Sequence, residues 1–158
     1  MRILFLVFFL FFPYLLHAEP TDAELSVWVN EAIVTTYTFD YKHYLAEQKR
    51  IAYYFSSNAW EAYSTALTSS NLLATIQKNG YYVSAVAQST PVINKRGPGV
   101  WEAKMPIIVV YRNDRKEVKQ TLQITINFAT STANTGIRGL QIESFVSNEI
   151  KPYCECDL

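Results

Sequence analysis

Cysteine is almost absent from this chain: of 158 residues only Cys154 and Cys156 carry a thiol, and both stand at its very end. A small core stapled by several disulfides is therefore excluded. Histidine is equally scarce, with His17 and His43 alone. No His-Glu-x-x-His helix, phosphate-binding glycine loop or dinucleotide fingerprint occurs, so the common signatures of zinc proteases and nucleotide enzymes are missing. Charge of one sign is lacking too. The 14 basic residues balance 14 acidic ones and are scattered, which leaves out the concentrated positive footprint of a nucleic-acid binder. No nucleic-acid partner is expected. What the chain does have is apolar material, at 49% of its residues, against 18% charged. That supports one globular domain with a single core. Aromatic residues reach 15%, with eleven tyrosines, and most such rings belong to a mixed core or a contact surface.

The first eighteen residues are written for export rather than for the fold. Arg2 supplies a positive start, Ile3 to Leu16 form an apolar stretch interrupted by Pro13, and Ala18 precedes the polar Glu19-Pro20-Thr21-Asp22. The stretch is shorter than the roughly 20 residues that a helix needs to cross a bilayer. We therefore expect residues 1–18 to be a cleaved signal peptide and 19–158 to be a single domain released into the periplasm. Leu16 is bulkier than the small residue usual three positions before cleavage. An uncleaved anchor is the competing reading, and the only one in which a membrane is a partner.

Beyond the leader the chain opens with helices. Thr21-Asp22-Ala23-Glu24 has the form of a capping box, and Leu25, Trp28, Val29, Ala32, Ile33 and Thr36 recur on one face. This predicts an amphipathic helix of about four turns. The segment from Tyr37 to Tyr44 is too aromatic for a solvated linker, and Tyr41, Tyr44, Leu45 and Gln48 suggest a short second helix. Asn58-Ala59-Trp60-Glu61 reads as another capping box, opening a helix with Tyr63, Ala66 and Leu67 on one face. A last short helix carries Leu72, Leu73 and Ile76 and ends at Gly80.

From Tyr81 the period becomes that of a strand. Tyr81 to Ala87 is the first strand, Thr90 to Asn94 reads as its continuation, and Lys95-Arg96-Gly97-Pro98-Gly99 marks a turn. Next comes the clearest feature of the chain, a long hairpin. Trp101, Ala103, Met105, Ile107, Val109 and Tyr111 share one face of its first arm; in the second, Val118, Leu122, Ile124, Ile126 and Phe128 alternate with Lys119, Thr121, Gln123, Thr125 and Asn127. A fourth strand follows, with Leu140, Ile142, Ser144 and Val146 on one side and Gln141, Glu143 and Phe145 on the other. Helices first and antiparallel strands second make an α+β domain, with helices laid on one face of a four-stranded sheet.

Little here promises catalysis. His17 departs with the leader, so any relay must rest on His43 alone. Asp40, Glu47, Glu61, Glu102 and Glu143 lie on different elements, with no spacing that pairs them. Cys154 and Cys156 stand one residue apart, and an extended backbone would hold their Cα atoms about 7 Å apart, a difficult span for a disulfide. An exposed tail disulfide, an intermolecular bridge and metal capture are the readings, in that order; two thiolates make half a zinc site.

Several positions together resemble the IcmL/DotI family: Trp28 with Ala32, Tyr37-Thr38-Phe39-Asp40-Tyr41 with Tyr44, Tyr54-Phe55 leading to Trp60 and Leu67, Trp101 with Pro106 and Tyr111, and Gln120-Thr121-Leu122. The resemblance spans nearly all of the chain after the leader. It implies a periplasmic domain of the type IVB (Dot/Icm) secretion apparatus, similar in fold to VirB8-type components of type IVA systems. That fold is a curved antiparallel sheet packed on helices, cystatin-like or nuclear-transport-factor-two-like. Family members of the secretion core carry a cytoplasmic segment and a membrane-spanning helix before this domain. Here the leader looks cleavable, which points to a soluble paralogue or accessory subunit. No catalytic residue and no cofactor is implied.

Two functions remain. The first is a non-enzymatic interaction module, whose partners would be other apparatus proteins or a second copy of itself. Its spare surface would be the basic turn at Lys95 and Arg96 and the polar sheet face with Lys119 and Gln123. The second is a small-molecule binder or enzyme using a cup between helices and sheet, where Tyr37, Asp40, Tyr41, His43 and Tyr44 would line the pocket.

Overall fold

The computed structural model describes residues 19–131 and 135–150. Helix α1 runs Asp22–Thr36 and starts where the capping box places it: the Thr21 hydroxyl accepts from the Glu24 N–H, and the Glu24 carboxylate accepts from the Thr21 N–H at 2.8 Å. All six residues of the expected apolar face are buried. A two-residue strand β1 (Phe39–Asp40) follows, then α2 (Tyr44–Ala52), α3 (Ser57–Ser69) and α4 (Leu72–Asn79). Gly80 closes α4 with φ 62°, a left-handed conformation in which a side chain would be strained.

The cap of α3 lies two residues before the expected Asn58. Ser56 is the N-cap, its hydroxyl accepting from the Ala59 N–H at 3.4 Å. The reason is tertiary. The Ser56 N–H donates to Ile142 O at 2.9 Å, which keeps Ser56 extended and lets the helix begin immediately after it.

The sheet has six strands rather than four: β1, β2 (Tyr82–Ala87), β3 (Val92–Gly97), β4 (Val100–Arg112), β5 (Glu117–Thr130) and β6 (Leu140–Glu149), all pairings between these strands antiparallel. The segment after Thr90 does not continue β2. It forms β3, which pairs along the first half of β4 from Val92↔Lys104, while β2 pairs along the second half up to Ala87↔Ile107. The two strands lie end to end on one side of β4. Pro106 sits at their junction, where its carbonyl accepts from the Gln88 N–H at 2.9 Å and its missing N–H interrupts no ladder. Lys95 and Arg96 accordingly belong to a bulged strand, and the turn is confined to Pro98 and Gly99.

The central hairpin is as read: Trp101, Ala103, Met105, Ile107, Val109 and Tyr111 are all buried against the helices, as are Leu122, Ile124, Ile126 and Phe128. Phe128 lies between two indoles, 5.1 Å from Trp28 and 5.4 Å from Trp101 by ring centroid, and stacks on both. The alternation expected for β6 breaks. Asn127 faces Ser144 while Phe128 faces Ile142, so Glu143 is one residue too many for the ladder. A bulge of this kind shifts the side-chain phase by one. Beyond it Phe145 turns inward, its ring 5.5 Å from Tyr63 and 5.8 Å from Phe55, and Val146 turns out at 49% exposed.

Candidate docking surfaces

The aromatic segment after α1 is organised by one carboxylate. Asp40 Oδ1 accepts from the backbone N–H of Lys42 at 2.7 Å and of His43 at 2.8 Å, and Oδ2 lies 2.9 Å from His43 Nδ1. An aspartate that binds the chain two and three residues ahead forms a local turn. This one delivers the chain into α2. The imidazole of His43 and the two N–H groups hold the Asp40 carboxyl below its ordinary range. His43 itself is 68% exposed, and among the described residues no side chain bonds its other ring nitrogen.

Tyr41 packs edge-on against Tyr82 at 5.6 Å, with the Lys42 ammonium 5.4 Å from its ring centre. Tyr44 is half-buried at the margin of the core. Tyr37 lies elsewhere, in a cleft under α3. The five residues Tyr37, Asp40, Tyr41, His43 and Tyr44 therefore do not converge on one cavity.

The basic pair on β3 is tethered by carboxylates. Lys95 Nζ is 2.7 Å from Glu19, whose carboxyl it holds low, and Arg96 is 2.8 Å from Glu102. All four side chains are exposed enough for solvent to screen them, Glu102 least. On the face of the sheet away from the helices, Lys119 lies 3.2 Å from Glu117, and the Gln123 amide reaches the Ile124 carbonyl at 3.4 Å. Cys154 and Cys156 fall outside the described residues, as does the leader 1–18.

Sequence reading missed one feature beside the core. Between α3 and β6 runs an open cleft of about 520 Å³. Ala59, Ala62 and Ala66 of α3 form one wall, Glu143 to Phe145 and Ser147 of β6 the other, and Tyr37 and Tyr63 reach in. Burial pushes both phenols above their ordinary pKa, Tyr37 less so because it bonds to Ser147. Repeated alanine on the face of α3 that carries Tyr63 was the available signal, since small side chains leave the space. Among the described residues no three His, Cys, Asp or Glu side chains group as a metal site, and no helix is long and apolar enough to cross a membrane.

The family model for DotI and IcmL, an inner-membrane complex component of type IVb secretion systems, matches residues 15–149. An IcmL-like type IV secretion system protein from Legionella pneumophila has a similar structure, with a TM-score of 0.84 and 47% identity over 88% of this chain and 100% of that one. The periplasmic domain of DotI is 26% identical over 84% of this chain and 98% of that one, with a TM-score of 0.78. VirB8 from Agrobacterium tumefaciens, 13% identical with a TM-score of 0.59 over 87% of this chain and 99% of that one, shares the fold. Among curated proteins no significant sequence match is found.

Proposed function

The chain belongs to the DotI/IcmL family of type IVb secretion components, and we propose that it serves there as a non-enzymatic docking subunit in the periplasm. In this reading residues 1–18 are a cleaved signal peptide, and 19–158 form one domain that acts as an accessory or paralogue of the membrane-anchored component. The observation that carries it is the likeness to the DotI periplasmic domain across nearly the whole of that chain. The surfaces support it. His43 is engaged with Asp40 in a turn, while the exposed faces of β3, β5 and β6 carry polar side chains that the core does not require. Partners are other apparatus subunits or a second copy.

Two measurements test the reading. Intact mass of the exported protein should correspond to a chain beginning near Glu19, in the soluble periplasmic fraction. A mass retaining residues 1–18 together with membrane fractionation refutes the soluble paralogue. Crosslinking in the periplasm followed by mass spectrometry should then recover secretion-apparatus subunits. Recovery of none refutes the docking role.

A further inference from the structure

We propose that the cleft between α3 and β6 binds an extended peptide segment of a partner protein, which adds as a strand to the free edge of β6 and carries basic residues at its ends. This deepens the docking reading above and rests on it.

The first support is the edge itself. β6 is the last strand of the sheet, and among the described residues its outer side is occupied only at its start, where the Leu140 N–H donates to Ile137 O and Ile142 pairs with Tyr54 and Ser56. From Glu143 to Glu149 no described residue bonds that side. Which groups point outward follows from the ladder. Ile150 N–H donates inward to Thr121 O at 3.0 Å, and main-chain direction alternates along an antiparallel strand. Glu149, Ser147 and Phe145 thus turn their N–H and C=O outward.

The second support is that the cleft reaches this edge. Glu143, Ser144 and Phe145 all line it although they are consecutive, and successive side chains of a strand point to opposite faces. The Ser144 hydroxyl accepts from the Asn127 amide at 2.8 Å on the far face, so Ser144 contributes main chain. A groove with an open strand edge along one wall and a helix along the other is the geometry in which peptides bind by strand addition: main chain supplies affinity, and alternate side chains enter the groove.

Charge selects the occupant. Glu143 and Glu149 mark the two ends of the open edge, and no described Lys, Arg or His pairs with either. No described basic residue lines the cleft, whose middle is Tyr37, Tyr63, Phe145 and alanine. A strand with apolar residues at its third and fifth positions and cations at its first and seventh matches this order. A second copy does not. Antiparallel pairing of β6 with itself about Val146 would set Glu143 against Glu149, and like charges directly opposite oppose pairing.

The probe is Lys-Thr-Leu-Thr-Leu-Thr-Lys with fluorescein joined to its amino terminus through a glycine spacer and its carboxyl terminus amidated, titrated with the full chain by fluorescence polarisation. Saturable binding is expected. Replacing both lysines by Glu, or the chain's Ser147 by Pro (S147P), should each weaken it by roughly tenfold. Proline is tolerated where the lost N–H faces solvent, but S147P also removes the hydroxyl beside the Tyr37 phenol, so its melting temperature should fall modestly while the domain stays folded. Should S147P unfold, the charge swap decides alone: Glu143→Lys with Glu149→Lys should reject the lysine peptide and accept the Glu-flanked one. No saturation below about 1 mM, or binding indifferent to both changes, overturns the proposal. So does binding that appears only after residues 151–158 are deleted, which assigns the cleft to the chain's own tail, or a dimer that S147P dissolves. The peptide assay needs no secretion apparatus, so its failure leaves the crosslinking result untouched.

Discussion

The indole N–H of Trp28 donates to the carbonyl oxygen of Ile137 at 2.8 Å, tying the middle of α1 to the connection that leads into β6. Trp28 is fully buried and stacks on Phe128. Trp28→Phe keeps most of the packing but removes the donor from a carbonyl that has little water to replace it. It should cost about 1–3 kcal/mol, and Trp28→Ala about 3–5 kcal/mol, read from denaturant midpoints at unchanged slope. Equal midpoints for Trp28→Phe and wild type would mean that solvent replaces the bond.

The other two tryptophans should separate. Trp101 is 3% exposed and stacks on Phe128, so Trp101→Ala should lose about 3–5 kcal/mol. Trp60 is only half-buried, edge-on to Phe55 at 5.6 Å on the rim of the core. Trp60→Ala should lose clearly less, and Glu61→Gln, on the exposed side of α3, within about 0.5 kcal/mol. Chemical unfolding of the three variants side by side gives the order.

Stability should fall in alkali. Burial, reinforced by the Tyr37 phenol and the Glu149 carboxylate, pushes Tyr111 up to about 12, against about 10 for a free phenol. The folded state therefore keeps this proton longer than the unfolded chain does. Its contribution is whole below about pH 10 and drains away as pH rises toward 12. Tyr111→Phe should flatten that part of the profile, leaving the slope due to Tyr37 and Tyr63, whose phenols are raised in the same direction. Denaturant midpoints from pH 9 upward provide the measurement, and a flat wild-type profile would contradict the burial.

Lys95 and Arg96 test surface against fold. Their ion pairs with Glu19 and Glu102 are exposed on the lysine and arginine side, and such pairs contribute about 0–1 kcal/mol. Lys95→Glu with Arg96→Glu should leave the melting temperature nearly unchanged. If this strand meets the partner, crosslinked yield at matched expression should drop. Undiminished capture would exclude it as a contact.

Much of the framework was legible because it is periodic. The buried face of α1 and both arms of the hairpin repeat faithfully enough that every inward residue named from Trp101 to Tyr111 is buried. What escaped notice is non-local or too short to repeat. β1 has two residues and exists because Phe39 and Asp40 meet Val83 and Tyr82. β3 looked like the end of β2 because nothing in a sequence says where a neighbour stops. The cap at Ser56 depends on a carbonyl 86 positions further along, at Ile142.

The candidate surfaces divide in the same way. Composition and pattern determined that this is an α+β core, that its hairpin has a wet side, and that the common sequence signatures of nucleotide enzymes and zinc proteases are missing, because those properties follow from which residue types are present and how they alternate. Tertiary structure alone decided that Asp40 and His43 make a turn instead of joining Tyr37 in a pocket. It also decided that one surplus residue at Glu143 exchanges Phe145 for Val146 on the inner face. The cleft beside β6 arises from that exchange, from small side chains on α3 and from an edge left unpaired. Register, bulges and edges are relations between strands, and a linear pattern carries only the half of each relation that its own strand contributes.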